Sequence, residues 1–283
     1  MDLYKEMRDQ GATRSAFLRA AAQIPGIYVP SLYDVAYHED GTIQSVTPHD
    51  GAPATVVKRV MTEMDKSYYP SQVVVPFIEI VHDRVSVEVL RGCIRGCRFC
   101  QAGFLYRPFR EKSAETICAQ GRALCESTGY DELSLSSLST SDHSEIEGVL
   151  DRLLTYTADR HINLSLPSLR VDNFSKEVLE KVTTIRKSGL TFAPEAGTQR
   201  LRDVINKNVT EEELMRTCTI AFEGGYTQVK LYFMMGLPTE TDEDIVGIAD
   251  LAQKVVNLFY DMPDRAKGKL QVSISTATFV PKP

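Results

Sequence analysis

The feature that most constrains the fold is an alternation of strand-like and helix-like segments from about residue 85 almost to the end of the chain. The six strand candidates, rich in apolar and β-branched residues, are 85–90, 132–136, 163–166, 190–193, 228–234 and 270–275. The helix candidates are 114–127, 145–159, 176–187, 198–205, 210–223 and 242–260. Strands that alternate with helices imply right-handed crossovers and a parallel sheet. The pattern therefore predicts an α/β fold.

The first 80 residues show a different pattern. Helices are predicted over residues 2–10 and 13–23, and a hairpin over 32–46. Further strands are predicted over 56–60 and 77–81. We therefore expect a small N-terminal α+β appendage and linker over residues 1–80 and a main domain over residues 81–283.

Composition limits the functions that the chain can have. The chain has 283 residues, 43% of them hydrophobic, and can bury a sizeable core. Its formal charge of -6 does not indicate general nucleic-acid binding. No apolar run approaches the roughly 20 residues of a membrane span, and the N-terminus lacks a signal-peptide core. We therefore expect no membrane association and a cytoplasmic location.

Three of the six cysteines lie within eight residues, directly after the first strand candidate. They are Cys93, Cys97 and Cys100. Thiolates are preferred ligands of iron-sulfur clusters and of zinc, and a loop with this spacing can bring three sulfurs to one centre. A closed zinc site needs a fourth ligand, which is absent at finger-like spacing. A disulfide with a spare thiol and a partial zinc knuckle are the alternatives, and both spacing and compartment disfavour them.

This spacing, with the aromatic Phe99 before the third cysteine, resembles the signature of the radical S-adenosylmethionine (radical SAM) superfamily over roughly residues 85–280. The resemblance implies a 4Fe-4S cluster held by Cys93, Cys97 and Cys100, with SAM chelating the fourth iron. It implies reductive cleavage of SAM to methionine and a 5'-deoxyadenosyl radical, which takes a hydrogen from the substrate. It also implies a partial (β/α)6 TIM-like barrel and an electron donor such as a flavodoxin or ferredoxin.

In such barrels the reactive groups follow the strands, so each following loop carries candidate SAM contacts. The resemblance places Phe99 near the adenine, with packing of the loop as the alternative. It places Ser137 and Ser139 at the SAM amino group, with a helix-capping loop as the alternative. It places Ser168 and Arg170 after the third strand, where Arg170 pairs with the SAM carboxylate or forms a salt bridge to a nearby acid.

Four further candidate residues follow or end the fourth and fifth strands. Glu195 resembles the family position that binds SAM through its ribose hydroxyls or amino group, with a helix N-terminal carboxylate as the alternative. Met234, Met235 and Gly236 begin a stretch that closely resembles the family element M-x-G-L-P-x-E-T. The methionines there suit an adenine wall, and core filling is the alternative.

The other three cysteines, Cys118, Cys125 and Cys218, fall in predicted helices. Cys118 and Cys125 are seven residues apart, which is a core-facing repeat. Small buried hydrophobic residues are therefore the favoured interpretation, and a second cluster is the alternative.

The motif around the cysteines, residues 91–103, together with residues 166–172 and 279–283, also resembles an uncharacterised group with a cobalamin-binding-like domain ahead of the barrel. No D-x-H-x-x-G cobalamin motif occurs in the sequence, so cobalamin is not predicted for this chain. The chain ends just after the sixth strand candidate, and we expect a fragment of a longer enzyme, truncated at the C-terminal end of the barrel.

Taken with the resemblance, these patterns predict an enzyme that cleaves SAM and modifies an unidentified substrate. A macromolecular substrate, methylation and methylthiolation are candidates from relatives. The alternative is an iron-sulfur electron-transfer or cluster-binding module that does not cleave SAM. A zinc-binding RNA module is a third hypothesis, against which the acidic charge argues.

Overall fold

The computed structural model describes residues 1–166, 190–263, 265 and 267–282. The chain divides into two units, Met1–Thr62 and Glu63–Pro283. The division into an appendage over residues 1–80 and a barrel over residues 81–283 stays a prediction. Among the described residues, no helix combines the length and the apolar composition needed to cross a membrane.

The first unit contains two short helices and a hairpin. They are α1 (Asp2–Asp9), α2 (Arg14–Ala21), β1 (Tyr33–Tyr37) and β2 (Ile43–Pro48). The Thr13 hydroxyl caps α2 by accepting the Ala16 N–H at 3.2 Å, and β1 pairs with β2 antiparallel. These elements confirm the predicted helices and hairpin.

The predicted strands over residues 56–60 and 77–81 are wrong. Neither segment pairs with another strand in the part of the chain that the structure describes. Val57 is 73% exposed, and Phe77 is fully exposed. β-Branched and aromatic composition favours a strand only where a neighbouring strand completes its hydrogen bonds and covers one of its faces.

The second unit alternates strands and helices. Its elements, in chain order, are β3 (Val85–Glu88), β4 (Leu90–Arg91), α3 (Gln101–Leu105), β5 (Arg110–Glu111), α4 (Ala114–Thr128), β6 (Glu132–Ser136), α5 (Ile146–Thr157), β7 (Asn163–Ser165), β8 (Leu190–Glu195), α6 (Gln199–Val204), α7 (Glu211–Glu223), β9 (Gln228–Met235), α8 (Asp242–Asp261) and β10 (Gln271–Thr278). The predicted helix over residues 176–187 lies outside the described residues.

Six strands of the second unit, β3, β6, β7, β8, β9 and β10, form two parallel sheets of three strands each. One has the order β3-β6-β7, and the other has the order β8-β9-β10. This arrangement confirms six parallel strands in an α/β protein. No strand pairing joins the two sheets within the described residues, so closure into one six-stranded barrel stays a prediction.

Each sheet buries one face under its own helices. Val87, Leu133 and Leu135 pack in a core with residues of α4 and α5. Phe192 and Leu231 pack in a second core with residues of α7 and α8. Burying such a side chain stabilises the fold by about 1.5–3 kcal/mol. Because side chains alternate along a strand, this packing directs the polar residues of the strands to the opposite face.

Candidate functional site

The three-cysteine loop follows the short strand β4 and leads into α3. Cys100 caps α3, since its sulfur accepts the Gly103 N–H at 3.4 Å, and the Cys93 sulfur accepts the Arg95 N–H at 3.4 Å. Gly92 has a φ of +91°, and a Cβ there would lie 2.7 Å from the Tyr106 and Pro108 carbonyl oxygens. The chain can therefore turn into this loop only with glycine at this position.

The donor chemistry of the loop fits an iron-sulfur cluster. None of the six cysteines of the chain is in a disulfide, which disagrees with the disulfide alternative. Cys97 is buried, while Cys93 and Cys100 are partly exposed. Within the described residues, no three His, Cys, Asp or Glu side chains are arranged to share one metal ion. Convergence of the three sulfurs on one centre therefore stays a prediction.

An ion pair holds the loop on the side of the first sheet. The Arg95 guanidinium donates to both carboxylate oxygens of Asp142, with a distance of 3.0 Å from Nε to Oδ2. Asp142 lies in the loop that follows β6, and its side chain is only 2% exposed. Arg107 Nη2 also donates to the Arg95 carbonyl oxygen at 2.8 Å. The sequence analysis missed this pair because its partners are 47 residues apart.

The segment after α6 holds the loop on the side of the second sheet. Asn206 Nδ2 donates to the Gly96 carbonyl oxygen at 2.7 Å. Arg98 donates its backbone N–H to the Ile205 carbonyl oxygen at 2.9 Å and its guanidinium to the Val204 carbonyl oxygen at 2.6 Å. The sequence analysis also missed these contacts. The one local signal was the pair Asn206 and Asn208, since asparagine tolerates the left-handed φ of 52° that both adopt.

We expect Asn206→Ala to loosen the cysteine loop. The substitution removes the hydrogen bond to Gly96 and reduces stability by about 1 kcal/mol. After anaerobic reconstitution, iron should be lost to a chelator several times faster than from the parent chain. Asn208→Ala is the matched control, because Asn208 has the same φ and is exposed. Equal rates of iron loss from the two variants would contradict a role for Asn206 in holding the loop.

Phe99 and Met234 lie in one apolar cluster. They pack against its buried residues Ala196, Leu201, Ile205 and Leu237. The cluster brings the aromatic residue of the cysteine loop to the end of β9, which agrees with the packing alternative, and the adenine role of Phe99 stays a prediction. Met235, by contrast, packs against the core beneath α7 and α8, which agrees with the core-filling alternative.

Glu195 lies at the C-terminal end of β8, where the pairing with β9 is irregular. Its φ is +70°, an uncommon conformation for a residue other than glycine. Its carboxylate is 3.2 Å from Lys207 Nζ, and both side chains are largely buried, with exposures of 16% and 11%. Lys207 Nζ also lies 5.7 Å from the centroid of the Phe99 ring. Lys207 was missed in the sequence analysis and connects Glu195 with the cysteine loop.

Gly236 ends β9 in a conformation that favours glycine. Its φ is +81°, and its N–H donates to Glu240 Oε2 at 2.6 Å. The M-x-G-L-P-x-E-T element therefore forms a turn that is stabilised internally, because Glu240 accepts a hydrogen bond from the Gly236 N–H. Its last threonine, Thr241, then caps α8 in a capping box with Asp244.

Ser137 and Ser139 lie in the loop after β6. Ser137 Oγ hydrogen-bonds Thr140 Oγ1 at 2.8 Å and accepts the Ser139 N–H at 3.1 Å, which stabilises the turn. Ser139 Oγ is buried and has no hydrogen-bond partner among the described residues. A buried polar atom without a partner costs about 1–3 kcal/mol, so Ser139 Oγ is available to a polar ligand group. Ser168 and Arg170 lie outside the described residues.

A cavity of about 360 Å³ lies at the ends of β3 and β6. Its lining includes Glu88, Arg91, Gly92, Ser136, Ser137 and Leu138. Arg91 donates two hydrogen bonds to the Glu88 carboxylate, which lower the pKa of that carboxyl. This volume is in the range of small-molecule sites, which are about 300–1,000 Å³. The start of the cysteine loop, at Gly92, and the loop after β6, at Ser137 and Leu138, thus border one space at the carboxyl end of the first sheet.

The remaining cysteines are buried, as predicted. Burial raises the pKa of the Cys118 thiol, that of Cys125 to about 11 and that of Cys218 to about 12. Cys118 and Cys125 pack in the first core, and Cys218 packs in the second. These thiols are protonated at neutral pH and are poor metal ligands, because the thiolate is the form that binds metal.

Comparison with known proteins places the same residues in one family. The family model for the radical SAM superfamily matches residues 87–252. The uncharacterised protein MJ0966 of Methanocaldococcus jannaschii is 32% identical over 197 residues, which cover 70% of this chain and 40% of that protein. The putative methylthiotransferase MJ0865 of the same organism is 24% identical over 175 residues, covering 59% of this chain and 38% of that protein. The chain thus spans about two fifths of the length of these relatives.

Two solved structures of the radical SAM methyltransferase TsrM from Kitasatospora setae share the fold. The one with tryptophan substrate and a SAM analogue has a TM-score of 0.58 and 14% identity, and the match covers 88% of this chain and 46% of TsrM. The one with cobalamin and a [4Fe-4S] cluster has a TM-score of 0.52 and 14% identity, covering 68% of this chain and 36% of TsrM. At this identity the likeness shows the fold alone.

Proposed function

Because the chain belongs to the radical SAM superfamily, we propose that it cleaves SAM reductively and that Cys93, Cys97 and Cys100 hold its 4Fe-4S cluster. The observation that carries the proposal is the group of three cysteines in one loop after β4, none of them in a disulfide. The family implies both the cluster and SAM, and the bound cluster supplies the electron for the cleavage. Three cysteine ligands leave one iron for SAM.

The other residues have supporting roles in this proposal. Arg95, through Asp142, and Asn206 orient the loop from its two sides. Phe99 and Met234, which pack against the same apolar cluster, form an apolar wall for the adenine. Ser139 donates its unpartnered hydroxyl to SAM, and Ser137 stabilises the turn that presents it. Gly236 sets the turn at the end of β9, beside Met235. Ser168 and Arg170 are also proposed SAM contacts, and the family resemblance is their only support.

Glu195 is the proposed acidic contact to SAM, and Lys207 is its positioning residue. The Lys207 ammonium, 3.2 Å away, fixes the direction of the carboxylate at the strand end. The oxygens of this largely buried side chain can accept hydrogen bonds from ribose hydroxyls or from the SAM amino group. The positive φ of Glu195 is consistent with a functional position, since strained conformations cluster at such sites.

For the substrate, we propose transfer of a methyl or methylthio group to a macromolecule or a complex metabolite. The relatives named a putative methylthiotransferase and a methyltransferase support this class of reaction. We also infer that the chain comes from the group with a cobalamin-binding-like domain ahead of the barrel, on the strength of the motif over residues 91–103. Binding of cobalamin by the full-length protein would test that inference.

Formation of 5'-deoxyadenosine tests the central proposal. The chain would be reconstituted with iron and sulfide without oxygen, reduced with dithionite and supplied with SAM. We expect methionine and 5'-deoxyadenosine in equal amounts. A reconstituted chain with the spectrum of a 4Fe-4S cluster that forms neither product would instead support the electron-transfer or cluster-binding module.

We expect Glu195→Ala to weaken SAM binding about tenfold, which corresponds to about 1.4 kcal/mol, while the iron content stays near normal. The measurement is SAM affinity of the reconstituted protein by equilibrium dialysis. Glu195→Gln should lie between the parent and Glu195→Ala, because it keeps an acceptor and loses the charge. Glu223→Ala, at the exposed end of α7, is the control. Unchanged affinity in Glu195→Ala would remove Glu195 from the site.

A further inference from the structure

Arg202, in the short helix α6, carries a buried charge. The residue is only 1% exposed. Among the described residues its guanidinium forms no ion pair with a carboxylate, and its Nε has no hydrogen-bond partner. Burial lowers the pKa of the guanidinium, which still stays charged at neutral pH. Because an unpaired charge is costly to bury, we expect an arginine at this position to make contacts that an apolar side chain cannot make.

The guanidinium binds the segment that follows Glu195. Its Nη1 donates to the carbonyl oxygens of Ala196, at 3.0 Å, and of Gly197, at 3.2 Å. Its Nη2 donates to Gln199 Oε1 at 3.1 Å. Because the nitrogens of a guanidinium lie in one rigid plane, these bonds fix two successive peptide groups relative to α6. The two peptide groups come directly after the carboxylate that is proposed to contact SAM.

Arg202 also supports Lys207, which is the partner of Glu195 in an ion pair. The Lys207 N–H donates to the Arg202 carbonyl oxygen at 2.9 Å. The Lys207 ammonium in turn lies 3.2 Å from the Glu195 carboxylate. Arg202 therefore contacts the backbone on both sides of this ion pair. It holds the acidic side through its guanidinium and the basic side through its own carbonyl oxygen.

The backbone at Glu195 needs this support. Its φ of +70° is unfavourable for a residue with a side chain and persists only where the surrounding structure fixes it. Helix α8 fixes the segment from one side, because a Cβ at Gly197 would lie 2.3 Å from the backbone nitrogen of Ile248. Arg202 fixes the same segment from α6 through two carbonyl oxygens. The backbone that directs the Glu195 side chain is therefore held from two helices.

We propose that Arg202 is a positioning residue that directs the Glu195 carboxylate toward SAM. This proposal rests on the proposed function, because it requires that the chain bind SAM through Glu195. The guanidinium holds the peptide groups after Glu195, so the carboxylate has one direction before SAM arrives. An acceptor that is already oriented loses less conformational freedom on binding, and the ligand is therefore bound more tightly.

A double-mutant cycle separates this role from simple stabilisation of α6. If Arg202 only stabilised the helix, its substitution would lower the stability of the chain and leave the affinity for SAM unchanged. If Arg202 acts through Glu195, its substitution lowers the affinity only while the Glu195 carboxylate is present. The effects of the two residues on SAM binding are then not additive, and the cycle measures this coupling.

Arg202→Met removes the guanidinium and keeps an apolar stem. The affinity of the reconstituted protein for SAM would be measured by equilibrium dialysis, with iron content and urea unfolding measured on the same samples. We expect the Kd for SAM to rise about tenfold while the iron content stays near normal. In the Glu195→Ala background, Arg202→Met should change the Kd by less than about twofold, because no carboxylate remains to be directed.

Two further variants complete the design. Arg202→Lys keeps the charge but has a single nitrogen in place of the planar fork, so the Kd should rise by about threefold. It also provides the same cycle with Glu195→Ala if Arg202→Met does not fold. Val149→Ala is the control for lost stability, because Val149 is fully buried in the first core. This variant should unfold at a lower urea concentration and keep the Kd of the parent chain.

Three results would overturn the proposal. One is an unchanged Kd for SAM in both Arg202 variants. Another is an equal rise in Kd with and without the Glu195 carboxylate, since Arg202 would then act independently of Glu195. The third is a rise in Kd in Val149→Ala as large as that in Arg202→Met, which would make the rise an effect of lost stability. A parent chain that carries the cluster but neither binds nor cleaves SAM would instead mark failure of the proposed function, so the two failures are distinguishable.

Discussion

Cys93→Ala, Cys97→Ala and Cys100→Ala are each expected to lower iron and sulfide content strongly and to abolish SAM cleavage. Three thiolates share one cluster in the proposed site, so the loss of any one leaves an iron without its protein ligand. Cys100→Ala should also shorten α3, because the Cys100 sulfur accepts the N–H of Gly103 at the start of that helix. The measurement is iron and sulfide per chain after reconstitution without oxygen.

The matched controls are the three cysteines outside the loop. Cys118→Ala, Cys125→Ala and Cys218→Ala should retain the cluster and lose roughly 1 kcal/mol of stability, since each removes one buried sulfur from a packed core. A folded variant of this group that lost iron would show that the three-ligand site is incomplete. Full SAM cleavage by any loop variant would contradict the assignment of the cluster to this loop.

The positions of the elements could be predicted from the sequence where the signal is local. Alternation of apolar residues located the parallel strands to within a few residues, as at β6 (Glu132–Ser136) and β9 (Gln228–Met235). The helices were located as closely, as at α7 (Glu211–Glu223), which the sequence predicts over residues 210–223. The same local signal failed over residues 56–60, because strand formation depends on a neighbouring strand that composition does not reveal.

The contacts that orient the candidate site could not be predicted. Arg95 meets Asp142 across 47 residues, and Asn206 meets Gly96 across 110. No periodicity or spacing within one segment carries such information, because the contacts exist only once the loops gather at the strand ends. The residues of the cysteine loop were predictable from their spacing, whereas the residues that hold the loop required the fold.

The second large effect is expected at Asp244, in the first turn of α8. Its carboxylate is 2% exposed and accepts hydrogen bonds from the hydroxyl of Thr198 and the guanidinium of Arg200. It also accepts the Thr241 N–H at 2.8 Å and the Thr241 hydroxyl at 2.9 Å. One carboxylate thus caps α8 and ties it to the segment that follows Glu195.

Close backbone packing makes this junction intolerant of change. A Cβ at Gly197 would collide with the backbone of Gly247 and Ile248 in α8. The segment between Glu195 and α6 can therefore lie directly on α8 only because it contains a glycine. Loss of the Asp244 bonds would therefore weaken a contact in which the backbone at Gly197 lies directly against the backbone of α8.

We expect Asp244→Ala to reduce the free energy of unfolding by about 3 kcal/mol at pH 7. The substitution removes the cap of α8 and leaves buried hydrogen-bond donors without a partner. The loss of the ion pair with Arg200 contributes less to this destabilisation, because the Arg200 side chain is half-exposed. Asp244→Asn should cost less, since it keeps an acceptor oxygen. Asp242→Ala, in the same turn but exposed, should cost under about 1 kcal/mol. Urea unfolding of the four chains measures these differences.

The effect of Asp244 should depend on pH in a defined direction. Burial disfavours its charge, but hydrogen bonds from Thr198, Arg200 and Thr241 outweigh burial and hold its pKa well below the usual range. A group whose pKa is lower in the folded chain than in the unfolded chain stabilises the fold fully above its unfolded pKa, about 3.9. The contribution is lost as the pH falls from there through the folded pKa.

The deficit of Asp244→Ala should therefore be constant between about pH 5 and pH 8 and should shrink below about pH 4. The measurement is the difference in unfolding free energy between Asp244→Ala and the parent chain across that range, with Asp242→Ala as the reference. A deficit that grew on acidification would mean that the carboxyl is protonated in the folded chain. The protonated carboxyl would then stabilise the junction, and Asp244→Asn, its neutral analogue, would be about as stable as the parent.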